Sequence, residues 1–210
     1  MAKKPQTDKP APAPEERRIS REVVEWRAAG DDDPGTISGY AAVVGQETVI
    51  ESWVSWREKI APGAFKAAIK TDDVRALFNH DPNILLGRTT SGTLRLKEDA
   101  HGLKYEVDLP DTVAAQDVRT LIERGDVTGS SFGFRVEEDS WDESEVKKGK
   151  LPLRTIERVS LFDVSPVTYP AYPTTSVSAR SKAQTITETA GTAHRIATRA
   201  AIDQAKAWPS

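Results

Sequence analysis

His80 and two serines further along the chain are the residues best suited to chemistry. His80 lies in the segment FNHD (78–81), where a packed strand is predicted to end, and Ser130 and Ser131 lie in GSSFGF (129–134). An imidazole can accept the proton of a serine hydroxyl near neutral pH, which turns that hydroxyl into a nucleophile. A His paired with a Ser therefore predicts acyl transfer, most simply the hydrolysis of a peptide bond.

Elimination among the three His residues favours His80 as the general base. His101 stands beside Gly102 in a predicted hairpin loop, where we expect a solvated turn residue. His194 falls in a predicted C-terminal tail. The alternative is that His80 is itself only a turn residue, because its neighbours Asn79 and Asp81 are common turn formers.

The composition bounds the other kinds of chemistry. The chain has no Cys, so disulfides, thiolate zinc sites and a Cys nucleophile are excluded. The spacing of the His residues predicts no metal, and we expect no cofactor. A formal net charge of −3, with both signs mixed along the chain, predicts no nucleic-acid partner. No apolar run approaches the roughly 18 residues of a membrane span, so no membrane partner is expected.

Strand patterns dominate the middle of the chain. Residues 37–44 are apolar on both faces, and 94–96 and 103–109 alternate on either side of a predicted hairpin loop. In the segment 129–136, Phe132 and Phe134 share one face, which should also hold Ser130. Ser131 lies on the opposite face, where we expect it to be open to solvent.

Further strand material runs from 154 to 165, with Leu161 and Asp163 expected on one face. Two short helices are predicted, over 62–69 and over 112–124, the second capped by Asp111 and ended by Gly125. Residues 137–150 are predicted to form a surface loop.

These elements predict one domain over 17–178 between two tails. Residues 1–16 are rich in Pro and charge and are predicted to be a disordered N-terminal tail, and 179–210 a flexible C-terminal tail. The predicted fold is α+β and mostly β, an antiparallel barrel or curled sheet with helices packed outside.

Six short motifs carry a resemblance to a known family over residues 37–173. In order along the chain they are ISGYA (37–41), EKIAPGAF (58–65), NHD with LGRT (79–89), GL (102–103), GSSFGF (129–134) and FDVSPVTYPA (162–171). Together they resemble the prohead proteases of tailed bacteriophages, the enzymes that mature the capsid.

The resemblance implies a serine endopeptidase with a fold similar to herpesvirus assemblin, a small antiparallel β-barrel ringed by helices. It implies action inside the assembling procapsid, in the cytoplasm of the bacterial host. The implied substrates are the scaffold, or a scaffold-like region of the major capsid protein, and the protease itself. A homodimer or larger self-assembly is expected by analogy with assemblin.

The resemblance also assigns roles to site residues. It places the nucleophile at Ser131, with Ser130 as the competing choice, and His80 as the general base. Asp163 falls where the family has an acidic residue, commonly Glu, and would orient the imidazole. The alternative for Asp163 is an ordinary polar residue near a strand end.

Two other functions are compatible with such a chain. One is a non-catalytic head-assembly or scaffolding module on the same fold, which would not need His80 and Ser131 together. The other is a hydrolase for a small ester or amide, which the absence of a G-x-S-x-G motif disfavours.

Overall fold

The structure is a computed structural model that describes residues 14–28, 34–51 and 54–169. The predicted C-terminal tail, 179–210, lies outside the described residues, as does most of the predicted N-terminal tail. Glu16, which was placed in that tail, belongs to the first strand. Its carboxylate has buried cationic partners, which hold this end of the chain on the sheet.

The described residues form eleven strands, two α-helices and one 3₁₀ turn. In chain order these are β1 (Glu16–Ser20), β2 (Glu25–Arg27), β3 (Thr36–Val43), β4 (Thr48–Ile50), β5 (Trp56–Ile60), α1 (Ala68–Thr71), β6 (Arg75–Phe78), β7 (Asp81–Arg88), β8 (Leu94–Glu98), β9 (Gly102–Asp108), α2 (Val113–Glu123), β10 (Gly129–Asp142), the 3₁₀ turn (Val146–Lys148) and β11 (Leu153–Val167). The mostly β, α+β class that the sequence predicted is confirmed.

The strands pair into two sheets. One has the order β1-β10-β11-β5-β4, with β6 joined to β11 and β7 joined to β6, and the other has the order β2-β3-β9-β8. Most neighbours are antiparallel, while β5 and β6 run parallel to β11. Within the described residues this pairing closes no barrel, so the barrel and the likeness to assemblin stay predictions.

The core is a single cluster of apolar side chains contributed by both sheets and by α2. Phe132 and Phe134 of β10 are almost fully buried, and their rings stack with centroids 4.6 Å apart. Phe65 packs edge-on against Phe132 at 5.6 Å. Burial of each of these large side chains stabilises the fold by roughly 1.5–3 kcal/mol, and it anchors β10, which carries the serines.

Both helix predictions need correction at their starts. The segment 62–69 begins as turns because Gly63 has φ +97°, outside the helical region, and α1 covers only Ala68–Thr71. The cap of α2 is Thr112 rather than Asp111, since the extended Thr112 accepts a side-chain hydrogen bond from the N–H of Ala115.

The surface loop predicted over 137–150 is wrong for 137–142, while 143–150 forms a surface turn as predicted. Strand β10 continues to Asp142 and pairs with the start of β11, so the two strands form a long hairpin arm. The segment 137–142 is polar and mostly exposed. It lacks the apolar alternation of a half-buried strand, and this part of the arm is built by backbone pairing together with cross-strand polar contacts such as Arg154 to Asp139 at 2.6 Å.

Candidate active site

A two-residue turn between β6 and β7 presents His80. Asn79 and His80 both have positive φ, at 53° and 58°, which is the pattern of a type I′ hairpin turn. Asn79 ties this turn to the end of β11, because its N–H donates to the carbonyl of Pro166 at 3.0 Å. Its Oδ1 accepts from the N–H of Thr168 at 2.9 Å. The imidazole is therefore held by a turn that is bonded to a second strand.

The pairing of β10 with β11 places the serine and the carboxylate on one face. Ser131 lies opposite Ser165, and Gly133 lies opposite Asp163. Residues two apart on a strand point the same way, so these four positions share the face over which His80 lies. Gly133 leaves room for the acid, because a Cβ atom there would overlap Oδ2 of Asp163.

A β-bulge one position further sets the direction of Asp163. The register shifts between Gly133 and Phe134, so Phe134 pairs with Leu161 and Phe162 has no partner on β10. Leu161 therefore faces the core with Phe134, while Asp163 faces Ser131. The expectation that Leu161 and Asp163 share a face was wrong, because strict alternation fails across a bulge.

His80, Ser131 and Asp163 come together as a hydrogen-bonded triad. Nδ1 of His80 lies 2.6 Å from Oδ1 of Asp163, and Nε2 lies 2.6 Å from Oγ of Ser131. The side chains of His80 and Asp163 are only 9% and 7% exposed. A carboxylate can only accept, so Nδ1 carries a proton, and Nε2, when it carries none, can accept from the hydroxyl. This arrangement can activate Ser131 as a nucleophile.

Ser165 is a residue of this site that sequence reasoning missed. Its Oγ donates to Oδ1 of Asp163 at 2.8 Å, the same oxygen that contacts His80. Ser165 is fully buried. Its position two residues after Asp163 on one strand was the available signal.

The remaining candidates lie outside the triad. Ser130 points into the core as expected, and its Oγ is 2.9 Å from the hydroxyl of Tyr105, whose pKa is raised by burial. Asp81 accepts from the N–H of Asn83 at 2.9 Å at the start of β7. His101 is 47% exposed and lies 3.1 Å from a carboxylate oxygen of Glu22. His194 lies beyond the described residues.

Ser131 itself is fully buried, so the expectation that it opens to solvent was wrong. Strand β1 lies alongside β10 and places Ile19 opposite Ser131. The Ser131 hydroxyl also lies 2.9 Å from the carbonyl oxygen of Arg18, to which it can donate. The contact joins residues 113 positions apart. No local pattern in the sequence indicates such a contact.

A groove of about 1330 Å³ opens beside the triad. His80 and Ser131 line it together with parts of β1, β4 and β5. Its extent suits an extended chain more than a small enclosed ligand, since pockets for small molecules hold about 300–1,000 Å³.

Among the described residues no helix is long and apolar enough to span a bilayer.

Comparisons with known proteins identify the family of this chain. A family model described as caudovirus prohead serine protease matches residues 22–190. The chain therefore belongs to the caudovirus prohead serine protease family.

Individual relatives are more distant. The prohead protease of Enterobacteria phage HK97 is 31% identical over 159 residues, which are 74% of this chain and 64% of that protein. This chain thus spans less than two thirds of the length of that relative. Among solved structures, the capsid assembly protease of bacteriophage T4 is similar with a TM-score of 0.42 at 10% identity. That match covers 72% of this chain and 98% of the phage T4 chain.

Proposed function

We propose that this chain is a serine endopeptidase in which Ser131 is the nucleophile, His80 the general base and Asp163 the residue that orients His80. The single observation that carries this is the pair of 2.6 Å contacts that link the three side chains through both nitrogens of His80. Family membership supports the same activity.

The reaction follows from these atoms. Nε2 of neutral His80 takes the Ser131 proton as Oγ bonds to the scissile carbonyl carbon, and the imidazolium is stabilised by the carboxylate of Asp163. His80 then returns the proton to the amine nitrogen as the peptide C–N bond breaks, which leaves an acyl group on Ser131. Water, deprotonated by His80, releases the acid and restores the hydroxyl.

The proposed substrates are head proteins of a tailed phage. We propose that these are the scaffold, or a scaffold-like region of the major capsid protein, and the protease itself; membership in a prohead protease family supports head proteins as the class of substrate. The site of action is the assembling procapsid in the bacterial cytoplasm, and the protease works as a homodimer or larger assembly. The open groove beside the triad supports an extended polypeptide over a small ester or amide as substrate.

Intact-mass spectrometry tests the proposal. Wild-type protein and Ser131→Ala are each incubated alone and with the cognate capsid protein, with Ser130→Ala as the matched control. Wild type and Ser130→Ala should yield the same discrete fragments, and Ser131→Ala should yield none. Unprocessed capsid protein with all three proteins, when the capsid protein is present and assembled, would instead favour a scaffolding module on the same fold.

A further inference from the structure

Strand β1 runs past the nucleophile in the manner of a bound peptide. It pairs antiparallel with β10, with Arg18 opposite Phe132 and Ile19 opposite Ser131. The carbonyl of Arg18 lies 2.9 Å from the Ser131 hydroxyl, and the serine has no exposed surface. A substrate backbone that added to this edge of β10 would meet β1 in its place.

The contact with Arg18 also competes for the proton that catalysis needs. The Ser131 hydroxyl has one hydrogen, and the Arg18 carbonyl can only accept. If the hydroxyl donates to Arg18, then Nε2 of His80 must itself be the donor to Oγ. With Nδ1–H bonded to Asp163, His80 is then doubly protonated and cannot act as a base. The Arg18 carbonyl is thus an acceptor that competes with Nε2 of His80 for the Ser131 proton, and the arrangement that uses it is inactive.

Charged side chains hold β1 in this position. The guanidinium of Arg18 bonds to Glu58 at 2.6 Å and to Glu16 at 2.7 Å. Arg154 bonds to Glu16 at 3.1 Å and to Glu58 at 3.2 Å. We call these four residues the clasp; their side chains are at most 17% exposed. Besides its backbone pairing with β10, β1 is therefore held mainly by ion pairs and not by burial of large apolar side chains.

We propose that β1 is an internal inhibitor strand that occupies the substrate-binding edge of β10 and blocks Ser131 until it is displaced. This inference rests on the proposed serine protease function. Displacement exposes Ser131, frees its proton for His80 and opens the edge of β10 to an extended polypeptide.

The rate at which a fluorophosphonate labels Ser131 in the full chain tests the inference. Arg18→Gln weakens the clasp but leaves the backbone carbonyl, and Glu58 keeps hydrogen bonds from Arg154 and Trp56. Arg27→Gln is the matched control, because Arg27 is 70% exposed, pairs at the surface with Glu25 and does not line the groove. Labelling of Arg18→Gln should be about tenfold faster than wild type, and Arg27→Gln should equal wild type.

A second form of the protein keeps the test decisive if Arg18→Gln folds poorly. A recognition site for a specific endopeptidase is inserted after Arg21, so that 1–21 is released from the folded chain. Release should accelerate labelling, and a synthetic peptide of residues 14–21 should slow it again while a scrambled peptide does not.

The outcomes separate the two proposals. If wild type, Arg18→Gln and the released form are labelled at equal rates, and Ser131→Ala is not labelled, the inhibitor-strand proposal is wrong. The proposed serine protease function would then remain supported. Labelling that falls in folded Arg18→Gln or after release would also overturn it, because β1 would then support the site. No specific labelling of Ser131 in any form would overturn the proposed function and this inference with it.

Discussion

At the scale of single residues, the candidate site is a chain of hydrogen bonds that ends on one carboxylate. Oδ1 of Asp163 contacts both His80 and Ser165. A carboxylate fixed from two sides keeps the imidazole in one tautomer and one orientation, which is the requirement for a general base. Gly133 makes this possible, since any side chain there would meet the acid.

Replacing Asp163 with Asn should lower kcat by about 10⁴-fold, because an amide can donate to Nδ1 and turn a protonated Nε2 toward Ser131. Steady-state cleavage of a peptide substrate measures the effect. Asp81→Asn is the matched control, since Asp81 lies beside His80 but bonds to Asn83. A similar loss in both variants would contradict the orienting role.

Replacing Ser165 with Ala should lower kcat by about tenfold with little change in KM, because one charge-assisted hydrogen bond to Asp163 is lost. Ser160→Ala on the same strand is the control, since Ser160 is half-buried, lies outside the triad and bonds to Glu137. The pH profile of kcat should also shift for Ser165→Ala alone. An unchanged profile with reduced thermal stability would show that Ser165 acts only in packing.

At the scale of elements, the β6–β7 turn and the β10–β11 pair bring the site together. The turn holds Asn79 and His80 in a left-handed backbone conformation, which costs about 1–2 kcal/mol for most residues. Asn adopts this conformation more readily than other non-Gly residues, and its side chain here also bonds to Thr168.

Asn79→Ala should destabilise the protein by about 2 kcal/mol, the sum of backbone strain and lost hydrogen bonds. Asn79→Gly should cost less, since Gly accepts positive φ and only the side-chain bonds are lost. Urea unfolding measures both. Both variants should lose activity through a looser His80, and equal stability of Ala and Gly would contradict the argument from φ.

Several elements could be read from the sequence because their signals are local. The apolar segment 37–44, the hairpin around His101 and the stop at Gly125 follow from periodicity and turn residues, and all three occur in the structure. The arm over 137–142 and the bulge at Phe162 depend on pairing between distant segments, which local patterns do not specify.

At the scale of the whole molecule, the clasp joins the N-terminal strand to the main sheet. Burial would raise the pKa of Glu58, but Arg18 and Arg154 and the hydrogen bonds from Arg18 and Trp56 outweigh it and lower that pKa below 4.5. A carboxyl whose pKa is lower when folded stabilises the protein above its unfolded pKa. That stabilisation is lost as the pH falls through the lowered value.

Wild-type stability should therefore fall as the pH drops below about 4.5, with a contribution from Glu58. Glu58→Gln should lose about 3–5 kcal/mol at pH 7, because two buried guanidinium groups lose a charged partner. The difference in unfolding free energy between wild type and Glu58→Gln should become smaller at low pH. Thermal unfolding from pH 7 to pH 3 measures it, and Glu47→Gln, at an exposed carboxylate, is the control. A gap that stays constant with pH would contradict the assignment to Glu58.

By itself the sequence determined the mostly β class, the buried face of β10 with Phe132 and Phe134, and three residues whose types suit acyl transfer. Their motifs also identified the family. Only the tertiary structure decided that Asp163 turns toward Ser131, that Ser165 joins it, and that β1 covers the nucleophile. Side-chain types and periodicities are local properties, whereas these contacts depend on strand register across as many as 113 positions of chain.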